Sequence, residues 1–119
     1  MIAESFTHLA CNQGSTVGLE GCAEARLLTT DRHVNREVRL LFNVINTKSQ
    51  KRKFVTAENV WLLSRTADCQ SESSVYQGGT LAPVEYGLCE VGEDQARSVM
   101  LHSYFGLLEQ GTTPKPAWP

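Results

Sequence analysis

The sequence predicts an all-α fold: a small helical bundle, built as a long helical hairpin plus a third, C-terminal helix, with two disulfides. Three observations carry this expectation. Apolar residues recur at steps of three and four in three separate stretches, the period of an amphipathic helix. A short polar turn, Asn46-Thr47-Lys48-Ser49, separates the first two stretches, as expected of antiparallel helical neighbours. Four cysteines, with no Cys-x-x-Cys among them, suit two disulfides in an oxidising compartment. At 119 residues the chain is one domain, large enough for a core of its own.

Residues 1–15 read as an irregular N-terminal arm containing Phe6, Leu9 and Cys11 and closing on the turn-rich Asn12-Gln13-Gly14-Ser15. Ser15 or Thr16 is the expected N-cap of a first helix running to about Asn46. Its stripe is Leu27, Val34, Val38, Leu41 and Ile45, widened by Leu28, Phe42 and Val44. Gly18 and Gly21 weaken the start, so irregular first turns are expected there. Asp31 and Asn35 lie one turn apart and read as polar groups satisfied on a neighbouring helix, through an inward Arg65.

Thr47, followed by Gln50, begins a second helix from about Lys48 to Gln70. Phe54, Ala57, Trp61 and Arg65 share one of its faces, and Cys69 continues it by one turn. Lys48, Lys51, Arg52 and Lys53 sit at the unfavourable end of the helix dipole and read foremost as a solvated helix start, with contact to an anionic surface as the alternative. Residues 70–89 read as a loop bracketed by Cys69 and Cys89, with Gly78-Gly79 supplying a turn. The third helix is expected after Gly92, with Glu93 and Asp94 in its first turn and Arg97, Leu101, Tyr104 and Leu108 on one stripe, Met100 and Phe105 beside it. Gly111 is a fitting stop, and 111–119 reads as a flexible, Pro-rich tail in which the docking of Trp118 is left open.

Sequence permits three cysteine pairings, and the short interval within each half of the chain favours Cys11–Cys22 and Cys69–Cys89. His8, His33 and His102 are scattered, so neither a zinc site nor any other metal or cofactor is expected. A net charge of −2 argues against a dedicated nucleic-acid binder. Its distribution is uneven, with a balance of +3 over residues 1–53 and −5 over 54–119. Six carboxylates (Asp68, Glu72, Glu85, Glu90, Glu93, Asp94) occur between 68 and 94 without a Lys or Arg, a surface suited to steering a cationic partner. Hydrolase, metalloprotease and phosphate-loop motifs are lacking, so an enzyme is not expected. No stretch is apolar enough to span a membrane, and Met1-Ile2-Ala3-Glu4-Ser5 lacks the character of an export signal.

Trp61 four residues before Arg65, Cys69 four further on, then Tyr76-Gln77-Gly78-Gly79-Thr80, Cys89 and an Arg97…Leu101 pair form an ordered set. Together with Asp31-Arg32-His33-Val34-Asn35 it resembles the N-terminal domain family of the LprI lysozyme inhibitors, small secreted helical proteins with disulfides. The likeness covers about residues 11–110, with Val38 and Glu58 standing where the family favours Tyr and Gln. It implies a periplasmic or extracellular protein whose signal peptide is absent from this chain, and Trp61, Arg65, Asp31, Asn35 and Arg97 as structural core. It also implies a protein partner, lysozyme or another cationic cell-wall hydrolase, blocked by the acidic loop. Tyr76, Gly78, Gly79, Thr80 and Tyr86 would be contacts, with Glu72 and Glu85 steering. An envelope immunity or stress protein acting on another secreted effector is the alternative, as is a structural module.

Overall fold

Ser15 and Thr47 each stand just ahead of a helical run, and each becomes an N-cap. The Ser15 hydroxyl accepts from the Gly18 N–H at 3.0 Å and the Thr47 hydroxyl from the Gln50 N–H at 3.1 Å, satisfying donors that a helix start leaves without a partner. In this computed structural model, which describes residues 1–3, 8–109 and 116–119, α1 spans Thr16–Val44, α2 Lys48–Ser73 and α3 Ala82–Glu109. A 3₁₀ turn, Ser74–Tyr76, follows α2. Phe6, Gly111 and most of the Pro-rich tail lie outside the described residues.

Most of the expected α1 stripe is the core, while Phe42, expected to widen it, is exposed. Val34, Val38, Leu41 and Ile45 are buried with Ile2, Phe54, Leu101 and Phe105. Each such apolar side chain contributes about 1.5–3 kcal/mol when fully buried. Phe105, expected beside the α3 stripe, is at its centre with 1% exposure, whereas Met100 is exposed. α3 lies against α1 most extensively and against α2 next, while α1 and α2 touch each other little. The bundle is therefore long, 53 × 24 × 20 Å. The two helices of the hairpin are held together chiefly by the third.

Two expectations about the helices are corrected. α3 begins at Ala82, well before the expected start after Gly92, so 82–89 is helix rather than loop. The reason is the inward phase of Val84, Gly87 and Val91, all buried, together with a Pro83 that the first helical turn accommodates. Glu93 and Asp94 consequently sit in mid-helix rather than in a first turn. Nor are the first turns of α1 irregular: the helix is continuous from Thr16. Gly18 and Gly21 are there because the arm lies on them. A Cβ at Gly21 would overlap the Ala10 carbonyl, and one at Gly18 would overlap the Asn12 backbone. The Cys11–Cys22 disulfide and a 3.0 Å bond from the Asn12 N–H to the Gly18 carbonyl fasten the arm in that position.

The start of the chain is fixed by a side chain. Asn35 accepts from the Ile2 N–H at 2.8 Å and donates to the Ile2 carbonyl at 3.1 Å, pairing with one residue as a neighbouring strand would. Asn35 thus holds the arm, and does not join Arg65 as expected. At the other end Trp118 docks, its ring 5.0 Å from Phe105 and stacked 5.2 Å from His102.

Candidate functional site

The inward stripe of α2 is Phe54, Glu58, Trp61, Arg65 and Cys69. Ala57 is exposed, because Glu58 lies nearer the centre of that face. Such a stripe brings two charged groups and a half-buried indole into the interior, and each charge needs a partner. Arg65 is 3% exposed and takes three. Its Nη1 lies 2.9 Å from Asp31 Oδ1 on α1 and 2.8 Å from Asp94 Oδ1 on α3, and its Nη2 lies 3.2 Å from Glu90 Oε2. Thr30 donates to the second oxygen of Asp94 at 2.8 Å. Arg97 donates from Nε and Nη2 to Glu58 Oε2, at 3.2 and 3.0 Å. Trp61 lies beside both cations, 5.5 Å from each guanidinium carbon.

This charged knot joins all three helices through one residue. Its value lies in register more than in net stability, since desolvation offsets much of the Coulomb attraction of a buried pair. A further buried acid, Glu37, accepts from Ser98 Oγ at 2.8 Å and lies 3.6 Å from His33 Nε2. Burial raises its carboxyl above the usual range.

One turn beyond the knot, Cys69 on α2 is bonded to Cys89 on α3. The disulfide therefore joins two helices and does not bracket a loop. Past it the chain reverses through Tyr76–Leu81. Gly79 N–H donates to the Tyr76 carbonyl at 2.7 Å, and Gly78 adopts φ +64°, a conformation that favours glycine. Thr80 is exposed, as are both glycines.

Four further carboxylates lie between the knot and the reversal: Asp68 and Glu72 on α2, Glu85 and Glu93 on α3. Glu85 holds its proton more tightly than an ordinary carboxyl, first through a hydrogen bond shared with Glu72, then through burial and the Glu72 charge. Glu93 is raised first by burial, then by the charge and hydrogen bond of Asp68. At the reversal itself Val75 is 80% exposed, Leu81 44% and Tyr76 41%. An apolar projection with an acidic rim suits protein recognition.

The structure thus brings Glu72, Tyr76, Gly78, Gly79, Thr80, Glu85 and a half-buried Tyr86 to one end of the bundle. It divides the acidic run on which the steering surface was expected. Glu90 and Asp94, 2% and 0% exposed, face inward to Arg65 and add nothing to the outer surface. Their i, i+4 spacing with Arg97 and Leu101 beyond was the available signal. Val75 and Leu81 were missed because isolated apolar residues in a polar stretch carry no periodicity. Among the described residues no group of His, Cys, Asp and Glu is arranged to hold a metal, and no helix is long and apolar enough to cross a membrane.

A family model for the lysozyme inhibitor LprI matches residues 10–101. No curated protein and no solved structure matches the chain. The match spans most of the chain, from the arm through the knot and the tip into α3, and the chain belongs to the lysozyme inhibitor LprI family.

Proposed function

We propose that this member of the lysozyme inhibitor LprI family is a periplasmic or extracellular binding protein that blocks a cationic cell-wall hydrolase with its acidic tip. The family is one of inhibitors rather than catalysts, and two disulfides suit an oxidising compartment. The observation that carries the reading is the pairing of Glu72 with Glu85 beside a reversal that exposes Val75, Tyr76 and Leu81, with Glu93 and Asp68 paired behind them and no Lys or Arg between 68 and 94.

In this reading the carboxylates steer the encounter and Tyr76 and its apolar neighbours make the contact, with Thr80 and Tyr86 at the edge. Complementary potential raises the association rate, and rigid aromatic side chains supply contact area at low entropic cost. The narrow end of the bundle would occupy the enzyme's cleft. Gly78 and Gly79 give the reversal its tight form, and the Cys69–Cys89 disulfide keeps it from spreading.

Inhibition of a panel of lysozymes by the oxidised chain, at low and at moderate salt, tests this. The expected result is inhibition of at least one class that weakens steeply as salt screens the tip. Inhibition indifferent to salt would refute the acidic tip as the docking face. No inhibition of any class would transfer the partner to another secreted effector.

A further inference from the structure

We propose that the opposite end of the molecule, where α1 turns into α2, is a docking surface for an anionic phospholipid bilayer. Residues 36–57 hold six Lys or Arg and one carboxylate, Glu37, which is fully buried against Ser98. The facing part of α3, residues 98–108, contains no Lys, Arg, Asp or Glu. Among the described residues this end presents predominantly positive charge; its further carboxylates are Glu58, buried on Arg97, Glu109 at the close of α3, and the C-terminus next to the docked Trp118. Lys48, Arg52 and Lys53 are exposed, and they stand in the first turns of α2, where the helix dipole adds to their repulsion. Such an arrangement is held at a stability disadvantage unless an anion meets it.

Charge alone would suit any polyanion; the apolar surface among these cations narrows the class. Phe42, Lys48, Lys51, Arg52, Val55 and Thr56 line an open groove of about 550 Å³. Phe42 and Val55 are 39% and 44% exposed, and Met1, 58% exposed, extends the apolar strip into an adjoining groove of about 260 Å³. Lys51 is bonded to the Phe42 carbonyl and its ammonium lies 4.2 Å above the Phe42 ring, so a cation and an aromatic face are presented as one unit. Cations that reach phosphate beside Phe and Val side chains that enter the acyl boundary are the two components of interfacial binding. A soluble polyanion would use only the first.

The orientation follows from the length of α2. Docked by its basic end, the bundle would hold the tip roughly 35 Å from the bilayer, at about 1.5 Å per helical residue. The inference stands whether or not the tip binds a lysozyme.

Cosedimentation of the oxidised full chain with phosphatidylcholine vesicles, with and without phosphatidylglycerol, tests it. Binding is expected only to the anionic vesicles. Each basic residue near such a surface is worth roughly a fivefold change, so K48E/R52E/K53E should weaken binding on the order of 100-fold or more. All three side chains are exposed, and an unchanged far-UV spectrum would confirm that the variant folds. Phe42→Ala should weaken vesicle binding severalfold, while E72Q/E85Q at the tip should leave it unchanged. No binding to anionic vesicles, or equal binding by the charge-reversed variant, overturns the proposal. So does equal binding to dextran sulfate that ignores Phe42→Ala, which would make the patch a polyanion site. Salt-sensitive self-association without vesicle binding would overturn it in favour of a second copy's acidic tip.

Discussion

Asp94 and Glu93 are adjacent in the chain and opposite in circumstance. Asp94 is fully buried, bonded to Arg65 and Thr30, whereas Glu93 is only half-buried and lies against Asp68 on α2. The same contrast divides the whole acidic run. Glu90 and Asp94 join Asp31 around one guanidinium, while Glu72 crowds Glu85 and Asp68 crowds Glu93 on the outer side of the same two helices. Identical chemistry is thus used for two purposes, and helical phase decides which. Inward carboxylates set the register of three helices. Outward ones repel each other and leave a field that a cationic partner would neutralise.

The largest effect should come from removing the centre of the knot. Arg65→Ala leaves Asp31, Glu90 and Asp94 buried without their cation, and should cost about 3–5 kcal/mol or abolish folding, read as the urea midpoint. An unchanged midpoint would erase the distinction between knot and tip. Arg65→Lys should not restore full stability, because a point charge does not reproduce the guanidinium's fork.

The Cys69–Cys89 bond lies between the two regions and should affect both. Replacing both cysteines with serine should cost about 3 kcal/mol, given a closed interval near 20 residues. It should also weaken inhibition beyond what lost stability explains, measured well below the melting temperature. Inhibition preserved in full would mean that the tip keeps its form without the staple.

Trp61→Ala should have a smaller effect, about 1–3 kcal/mol, than expected of a core indole. The ring is half-buried, packed on the edge of the apolar core with Arg65 and Arg97 beside it. Phe105→Ala, at the true centre, should cost about 3–5 kcal/mol by comparison. Thermal melts of the two variants would rank them.

The tip should respond least in stability and most in binding. Glu85 and Glu93 bind protons more tightly in the folded chain than at their ordinary value of 4.5. Their contribution to stability is therefore fully present below about pH 4.5 and is lost as the pH rises through their raised values. The proposed attraction of a cationic partner would follow the opposite course and strengthen as they ionise. Glu72→Gln should flatten the pH dependence of the melting temperature contributed by Glu85 while reducing inhibition. A variant with unaltered inhibition would remove Glu72 from the docking face.

Much was legible in the sequence because it depends on local rules. Period and caps located α1 to within two residues of its end, the turn, which the structure moves from 46–49 to 45–47, and the start of α2. Short intervals between cysteines pointed to the observed disulfides. The residues Trp61, Arg65 and Gly78-Gly79-Thr80 carried the family resemblance that the match over 10–101 bears out. Glu58 showed in the sequence as a departure from the family's Gln, and the fold gives it Arg97. Tertiary structure alone decided the rest. Glycines at 18 and 21 look like weak helix formers until the arm is seen lying on them. Asn35 could serve any neighbour, and only the folded arrangement gives it Ile2. The start of α3 at Ala82 is hidden by Pro, Gly and Tyr residues whose local preferences are overruled by packing on α1. Which carboxylates in 68–94 turn inward depends on that same start. A helix beginning only after Gly92 would leave Glu90 in a loop, with no helical phase to bring it to Arg65 beside Asp94.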